Sequence, residues 1–280
     1  MYCIIYSGDK MRTLYISDLD GTLLRSDQKT SAFTNRTINE LADKGLIFSY
    51  ATARSFSTAQ KAVKGLTAHF PVIVYNGVFI RDNTSGEYLH KNLFDKKAAV
   101  QIARELTRGG VSPIVYSLID GNEKFSYIKA NISKAESEFI CTRKGDLRDR
   151  PIDTFDQLIQ GDIFYFTCID EPEKLEPFFR KYRDSFNCYY QSDIYSGEWW
   201  LEIMPKAATK ANAAKQLKDL LKCDRIVSFG DAVNDTALFD VSDEAYAVSN
   251  AAEILKERAT GIIGSNDDDG VAKFLLEQFG

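Results

Sequence analysis

The stretch YISDLDGTLL, residues 15–24, places two carboxylates, Asp18 and Asp20, one residue apart at the end of an apolar run and directly before Gly21. Residues two apart on a regular strand share a face, so these carboxylates repel each other unless a cation or a shared proton intervenes. Gly21 lets the backbone turn there and offer N–H groups to an anion. For a D-x-D pair alone, a solvated turn or a helix cap is the simpler interpretation.

A second acidic loop follows another apolar strand in FGDAVNDTALF, residues 229–239, with Asp231, Asn234 and Asp235. The carboxyl ends of parallel strands converge on one edge of a sheet, which would bring both acidic loops together. Hard oxygen ligands of this kind are typical of a magnesium site, and such an ion would relieve the repulsion within the first pair. The alternative for the second loop is an ordinary aspartate cap on the helix that begins near Thr236.

Two further segments carry groups suited to a phosphate. Thr52, in YATARS (50–55), offers a hydroxyl at a strand end beside the N–H groups of Ala53 and Arg54, although threonine there is often a local cap. Lys210, in PKAATKANAAKQL (205–217), opens a helix, where its charge opposes the helix dipole. That position is favourable only if an anion or a carboxylate pairs with the lysine, and most lysines are simply solvated.

Apolar runs, turn residues and helical patterns alternate at both ends of the chain, which predicts an α/β fold. Strands are expected at residues 13–17, 46–52, 71–77 and 225–231, and DGVAKFLLEQF reads as a closing amphipathic helix. The middle of the chain has longer mixed runs and a hairpin signature at Asp120-Gly121-Asn122. We therefore predict a Rossmann-like parallel-sheet core, residues 1–82 and 197–280, interrupted by an α+β domain at 83–196.

Composition narrows the possible partners. The 280 residues are 44% hydrophobic with a formal charge of -5, so a sizeable core is expected and no basic field is available for nucleic acid or an acidic membrane. Five scattered cysteines without a C-x-x-C pair predict reduced thiols in a cytoplasmic protein. No leader or membrane span is evident, and residues before Met11 read as a short dispensable extension. Oligomeric state is not readable from the sequence.

The motifs DLDGTLL, ATAR, the lysine of TKANA and GDAVND resemble, in order and context, the four motifs of the haloacid dehalogenase superfamily of phosphotransferases. VYNGVFI, WLEIMP, AVSNA and SNDDDGVAKFL resemble its Cof-type branch, which inserts a large α/β cap after the third core strand. The chain departs from the family pattern at Ala53, Ala211 and Val248-Ser249. These small changes affect the expected substrate preference more than the expected chemistry.

The resemblance implies a Mg²⁺-dependent phosphatase that acts on a small phosphorylated metabolite, such as a sugar phosphate or a cofactor phosphate. It implies that Asp18 is the nucleophile that forms an aspartyl-phosphate, and that Asp20 is the general acid and then the base. The implied metal ligands are Asp18, the backbone carbonyl of Asp20, Asp231 and, in an outer position or through water, Asp235. The implied phosphate or substrate contacts are Leu19, Gly21, Thr52, Ala53, Arg54, Asn76, Lys210 and Asn234.

Two other functions remain open from the sequence. A phosphosugar mutase would share all four motifs, and a regulatory protein could use Asp18 as a phosphoacceptor without turnover. Asp20 favours phosphate-ester hydrolysis or mutase chemistry and argues against a slow switch. The cap (83–196) is expected to select the leaving group, and the basic stretch at 141–150 is more simply a solvated loop. His69, His90, Trp199 and Trp200 are expected to be structural or surface residues.

Overall fold

The computed structural model of the chain describes residues 11–192 and 197–279. The expected N-terminal extension, with Cys3, lies outside the described residues. The described residues form two compact units, a core unit that includes residues 11–91 and 209–279 and an inserted unit within Asn92–Ala208. Among the described helices, none combines the length and apolar character needed to cross a membrane. The cysteines within the described ranges, Cys141, Cys168, Cys188 and Cys223, are free thiols.

The first segment of the core unit alternates strands and helices before ending in three consecutive antiparallel strands. Ser31 and Ser55 each precede a helix and accept a backbone N–H with the side chain, which is why those helices begin where they do. The elements are β1 (Thr13–Ser17), α1 (Ala32–Asp43), β2 (Ile47–Tyr50), α2 (Phe56–Ala62), β3 (Pro71–Val74), β4 (Phe79–Asp82) and β5 (Tyr88–Lys91).

The inserted unit is built on a six-stranded sheet with helices α3 and α6 contributing to its core. The expected hairpin is confirmed: Asp120 and Gly121 both have positive φ in a two-residue loop, the geometry that suits the twist of antiparallel strands. The elements are α3 (Lys96–Arg108), β6 (Ile114–Ile119), β7 (Asn122–Ile128), α4 (Lys134–Cys141), β8 (Asp149–Ile152), α5 (Phe155–Leu158), β9 (Asp162–Asp170), α6 (Pro172–Tyr182), β10 (Asn187–Ser192) and β11 (Trp199–Met204).

The chain then returns to the core unit for four further helices and three strands. Thr209 caps the first of these helices by accepting the Asn212 N–H, so that Lys210 becomes its first residue. The elements are α7 (Lys210–Leu221), β12 (Arg225–Gly230), α8 (Thr236–Phe239), β13 (Glu244–Val248), α9 (Glu253–Lys256), β14 (Gly261–Ile263) and α10 (Gly270–Phe279).

The central sheet of the core unit has the order β14-β13-β12-β1-β2, with every pair parallel. This confirms the predicted α/β class with a parallel sheet. β1 and β12, the strands before the two acidic loops, are neighbours, with Ser17 opposite Phe229. Their apolar side chains pack with α7 in one buried cluster that includes Leu14, Ile16, Ala213, Leu217 and Ile226.

The third predicted strand differs from expectation. β3 belongs to a three-stranded antiparallel sheet with β4 and β5, and a single parallel bridge between Ala51 and Ile73 connects it to the strand before Thr52. Its apolar run is buried, as predicted, but the hydrogen bonds of β3 go mainly to β4. An unbroken apolar run cannot distinguish these two arrangements, because both bury the strand on two faces.

The inserted sheet has the order β10-β11-β9-β6-β7-β8 and is antiparallel except for β7 with β8. Residues from β9, β11, α3 and α6 form its hydrophobic core, among them Phe166, Leu201, Ala103 and Leu175. The compact units divide after Lys91 and Ala208, later than the predicted boundaries at 82 and 196. The reason is pairing: β5 bonds to β4 in the core unit, and β11 bonds to β9 in the inserted unit.

Candidate active site

Asp18 lies at the carboxyl end of β1, where the chain leaves the sheet. Its backbone N–H donates to the Phe229 carbonyl at 2.9 Å, and the residue is 5% exposed. Residues Leu19–Leu23 follow as a wide helical turn in which Asp20 and Gly21 depart from helical geometry, Gly21 with φ of 74°. Asp18 and Asp20 are therefore not same-face positions of a regular strand, and the repulsion expected of such positions does not apply to them.

Lys210 connects the two acidic loops. Its Nζ donates to Asp18 Oδ1 at 2.6 Å and to Asp235 Oδ1 at 2.7 Å, and its side chain is only 2% exposed. The residue lies on the same helical stripe of α7 as the buried Ala213, Ala214 and Leu217. A lysine on the core-facing stripe can stay charged only if carboxylates meet it there, and these two do.

Asp235 is held at both carboxylate oxygens. While Oδ1 accepts from Lys210, Oδ2 accepts the backbone N–H groups of Asp231 and Ala232 at 3.2 and 3.3 Å. This arrangement closes the turn Val233–Asp235 and fixes the loop that carries Asp231. The sequence-based alternative, an aspartate capping the following helix, is not what the structure shows, because no side-chain cap bond from Asp235 to α8 is present.

Asp231 faces the turn after β1. The Thr22 hydroxyl donates to Asp231 Oδ1 at 3.1 Å, and a Cβ at Gly21 would lie 2.3 Å from Asp231 Oδ2. Gly21 is therefore required for two reasons, its positive φ and this close approach. Gly21 was expected to let the backbone offer N–H groups to an anion; in the structure the Asp231 carboxylate takes the space beside it.

The ionisation of this cluster reflects its burial. Burial raises the pKa of Asp18 well above its ordinary value, Lys210 opposes this and Asp235 adds to it. Burial raises the pKa of Asp231 to about 6, with Asp235 acting in the same direction. Burial alone would lower the pKa of Lys210, but Asp18 and Asp235 raise it above its usual range. The lysine is charged, and burial opposes the ionisation of Asp18 and Asp231.

The carboxylates have the donor chemistry of a site for a hard divalent cation. One oxygen from each of Asp18, Asp231 and Asp235 lies within 4.8 Å of the others. Three buried or half-buried carboxylates share one lysine, so a bound divalent cation would stabilise their ionised forms. The side chain of Asp20 is not part of this cluster in the described chain. The residues present therefore fit the divalent metal ion that the resemblance implies.

Asp20 instead forms a two-point ion pair with Arg54. Arg54 Nε donates to Asp20 Oδ2 at 2.8 Å and Nη2 donates to Oδ1 at 2.5 Å, while Nη2 also reaches Gln28 Oε1 at 3.2 Å. The Asp20 side chain is 51% exposed and that of Arg54 is 18% exposed. A bidentate guanidinium pair restricts the carboxylate to one orientation. Arg54 was expected to contact phosphate or substrate, and its pairing with Asp20 was not predicted.

Thr52 and Asn76 lie together at the next strand end. Both are buried, and the Asn76 N–H donates to the Thr52 carbonyl at 2.9 Å. The Thr52 hydroxyl accepts the Arg54 N–H at 3.1 Å, which is the local turn bond that the alternative interpretation expected. Asn76 Oδ1 is buried without a hydrogen-bond partner among the described residues. This buried acceptor is a candidate for a ligand contact.

The loop after β3 also contacts the helix that carries Lys210. Tyr75, Asn76 and Gly77 have φ of 51°, 54° and 100°, and a Cβ at Gly77 would lie 2.2 Å from the Thr209 carbonyl oxygen. Three successive left-handed residues are uncommon, and only a backbone without a side chain can approach Thr209 this closely. The loop thereby contacts the residue immediately before Lys210.

The remaining predicted residues have simpler surroundings. Leu19 is buried, whereas Ala53 and Asn234 are exposed. His69 pairs with Asp82, and His90 lies on β5 opposite Ile80. The rings of Trp199 and Trp200 pack against Tyr190 and Phe139. The arginines of the stretch 141–150 are engaged locally within the inserted unit, Arg143 by Phe139, Arg148 by Asp146 and Arg150 by Ser126 and Gln157.

Two residues of the site were not identified from the sequence. Thr22, which donates to Asp231, belongs to the motif DLDGTLL, but nothing in the sequence around it predicted that contact. The Asn250 side chain donates to the Gly21 carbonyl at 2.8 Å, although it lies 229 positions further along the chain. Asn250 belongs to the motif AVSNA, which carried the resemblance but suggested no contact.

A model of the haloacid dehalogenase-like hydrolase family matches residues 15–275. The chain is 27% identical, over 92% of its length and 95% of the relative's, to the 5-amino-6-(5-phospho-D-ribitylamino)uracil phosphatase YwtE of Bacillus subtilis. It is 29% identical to a putative phosphatase of Buchnera aphidicola subsp. Baizongia pistaciae, over 95% of this chain and 97% of that one. TM0651 of Thermotoga maritima has a similar fold, with a TM-score of 0.78, 23% identity and coverage of 96% and 97%.

These matches, together with the site geometry, define a class of enzyme. The chain belongs to the haloacid dehalogenase-like hydrolase family. Within that family it is a phosphatase of the Cof type, as the four motifs and the inserted α+β unit predicted. The individual roles of the site residues stay predictions.

Proposed function

We propose that the protein is a Mg²⁺-dependent phosphatase that hydrolyses a small phosphorylated metabolite through an aspartyl-phosphate on Asp18. The observation that carries this proposal is the buried 2.6 Å contact between Lys210 Nζ and Asp18 Oδ1, next to the carboxylate of Asp231. A carboxylate held by a fixed cation at the end of a central strand is a suitable nucleophile, because it does not need to reorganise when charge develops on phosphorus.

Asp18 and Asp231 would hold the magnesium ion with side-chain oxygens, and Asp20 would contribute its backbone carbonyl. The bound ion would neutralise charge on the transferring phosphoryl group. Both oxygens of Asp235 are engaged by Lys210 and by two backbone N–H groups. We therefore assign Asp235 to holding Lys210 and the Asp231 loop in place, an indirect role in keeping with the outer position expected from the resemblance.

The proposed chemistry has two steps that Asp18 and Asp20 share. In the first, an oxygen of Asp18 bonds to phosphorus, the bond from phosphorus to the leaving oxygen breaks, and Asp20 gives its proton to the leaving alcohol. In the second, Asp20 takes a proton from water as the water oxygen bonds to phosphorus, the bond to Asp18 breaks, and inorganic phosphate leaves. The ion pair with Arg54 keeps Asp20 apart from the carboxylate cluster. The acid step requires this pair to open, because a guanidinium partner favours the ionised carboxylate.

The phosphoryl oxygens would be held by Lys210, Thr52 and Asn234, by backbone N–H groups of the turns that contain Leu19, Gly21 and Ala53, and at the rim by Arg54. Asn76 differs from these donors. Its buried Oδ1 is an acceptor without a hydrogen-bond partner in the part of the chain that the structure describes, so a substrate hydroxyl is the group that suits it. This favours a leaving group with hydroxyls, such as a sugar or a sugar alcohol.

The relatives support the same substrate class. Two Bacillus subtilis proteins to which the chain is 27% and 26% identical, YwtE and YitU, are phosphatases of 5-amino-6-(5-phospho-D-ribitylamino)uracil, whose phosphate is carried by a ribityl chain. We therefore propose sugar phosphates, sugar-alcohol phosphates and phosphorylated cofactor precursors as the first compounds to test. Release of inorganic phosphate from each would be measured, since a mutase would isomerise a sugar phosphate without releasing phosphate.

The nucleophile assignment is tested with p-nitrophenyl phosphate. Asp18→Asn should abolish phosphate release while the circular dichroism spectrum stays native. Asp153→Asn, at a side chain that is 76% exposed, is the matched control and should keep full activity. Excess EDTA should remove the activity and Mg²⁺ should restore it. Near-normal turnover by Asp18→Asn would overturn the nucleophile assignment, and full activity in EDTA would overturn the metal assignment.

A further inference from the structure

Two asparagines that follow other strands hold the turn after β1. Asn250, after β13, donates from Nδ2 to the Gly21 carbonyl at 2.8 Å. Asn266, after β14, donates from Nδ2 to the Leu24 carbonyl at 3.0 Å. The Asn266 backbone N–H in turn donates to Asn250 Oδ1 at 3.0 Å. We call Asn250 and Asn266 the asparagine brace, since each end of the turn Gly21–Leu24 is bonded to one of them.

The brace acts on the peptide groups next to the catalytic pair. The Gly21 carbonyl belongs to the same peptide plane as the Thr22 N–H, so the bond from Asn250 fixes that plane. Thr22 then donates its hydroxyl to Asp231, and Gly21 lies against the Asp231 carboxylate. Any rotation of this peptide would therefore change the distance between the turn that carries Asp20 and the loop that carries Asp231.

The sheet order explains why the support comes from so far along the chain. β13 lies two strands from β1, with β12 between them, and β14 lies beyond β13. Because the sheet is parallel, the loops after all these strands meet at its carboxyl edge. Asn250 is exposed, yet both ends of its amide are bonded to backbone groups of other loops. An exposed side chain bonded in this way loses rotamer freedom, a cost that its hydrogen bonds must offset.

We propose that Asn250 is a positioning residue for phosphoryl transfer, acting through the Gly21 carbonyl on the turn that carries Asp18 and Asp20. The proposal rests on the function proposed above for those two aspartates. Its consequence is that loss of the Asn250 bond lowers kcat more than it changes KM, because the proposed substrate contacts of Lys210, Thr52 and Asn234 lie outside this turn and are left in place while the reacting groups lose their alignment.

The test compares two asparagines that make the same kind of bonds. Asn39 donates from Nδ2 to the Gly65 carbonyl at 2.9 Å and accepts the Thr67 and Ala68 N–H groups at Oδ1. None of these partners belongs to the proposed active site. Asn250→Asp and Asn39→Asp both keep the acceptor and replace the donor that faces a glycine carbonyl. Asn250→Ala removes the bonds without adding a charge. Each variant is assayed as the full chain with Mg²⁺ and p-nitrophenyl phosphate.

We expect both aspartate variants to lower the melting temperature comparably. Only the two Asn250 variants should lower kcat, by roughly tenfold or more, with KM changed by less than about twofold. In hydrogen exchange measured by mass spectrometry, a peptide that covers residues 19–26 should exchange faster in Asn250→Ala than in Asn39→Asp. These measurements separate a positioning role of Asn250 from a general loss of stability, because the loss of stability is expected for the variants of both Asn250 and Asn39.

Three results would overturn the proposal. The first is an unchanged kcat in Asn250→Ala, and the second is a kcat loss that occurs in Asn250→Asp alone, which would assign the effect to the new charge. The third is an equal kcat loss in Asn39→Asp. Failure of the underlying function is recognised separately, because Asp18→Asn would then retain activity whatever the Asn250 variants do.

Discussion

Replacing Lys210 with methionine tests the charge balance of the active site. The lysine is 2% exposed between Asp18 and Asp235, whose side chains are 7% and 0% exposed. Lys210→Met keeps much of the side-chain length but leaves two buried carboxylates facing an apolar group. Removing one partner of a buried ion pair costs about 3–5 kcal/mol, because the remaining charge stays desolvated without compensation. We expect a loss of that size in the free energy of unfolding.

Two further variants make the measurement specific. Lys174 pairs with Asp170, four positions earlier in the chain, at 2.9 Å, but it is 47% exposed, so Lys174→Met should cost at most about 0.5 kcal/mol. Adding Asp235→Asn to Lys210→Met removes one of the stranded charges and should recover about 1–2 kcal/mol, as expected for groups in direct contact. Urea denaturation with EDTA present, to keep divalent cations out, gives all three values. A Lys210→Met protein no less stable than Lys174→Met would refute this reasoning.

Two other substitutions test the backbone and the inserted unit. Gly77→Ala and Gly45→Ala both place a side chain at φ of 100°, a strain of about 1 kcal/mol, but only the Gly77 Cβ meets Thr209. Urea denaturation should therefore show a clearly larger loss of stability for Gly77→Ala, and its kcat should fall as well. Equal losses of stability and an unchanged kcat would contradict the contact. Burial raises the pKa of Glu136 to about 8 from an ordinary 4.5, so folding takes up a proton between these pH values. The free energy of unfolding of the wild type should therefore fall as pH rises from about 4.5 to 8, by roughly 3–5 kcal/mol relative to Glu136→Gln. Parallel stability curves for the two proteins across that range would show that this carboxyl does not titrate as proposed.

Several features of the molecule were predictable because they depend on residues close together in the chain. The strand at residues 13–17, the hairpin at Asp120-Gly121 and the closing helix follow from apolar periodicity and turn residues, and the structure confirms them. The placement of acidic groups at the ends of apolar runs was also readable. Lys210 was singled out because its charge was unfavourable at a helix start, and the structure shows the carboxylates that compensate it.

Strand pairing and the boundaries of the two units were harder to predict from the sequence. β3 was expected in the central sheet, yet it pairs with β4 and β5, and β5 carries the core unit on to Lys91. The apolar run of β3 satisfies either arrangement, since hydrogen-bond partners are chosen by segments elsewhere in the chain. Patterns of burial therefore predict that a strand exists more reliably than they predict its neighbours.

The sequence by itself determined the chemical groups: two acidic loops after apolar strands, a lysine at the start of a helix, and a glycine where the backbone turns. Only the tertiary structure decided which groups meet. It pairs Asp20 with Arg54, occupies both oxygens of Asp235, and brings Asn250 to the Gly21 carbonyl across an intervening strand. The physical reason is that residue types and local periodicity are encoded position by position, whereas contacts between distant loops arise from the order of strands in the folded sheet.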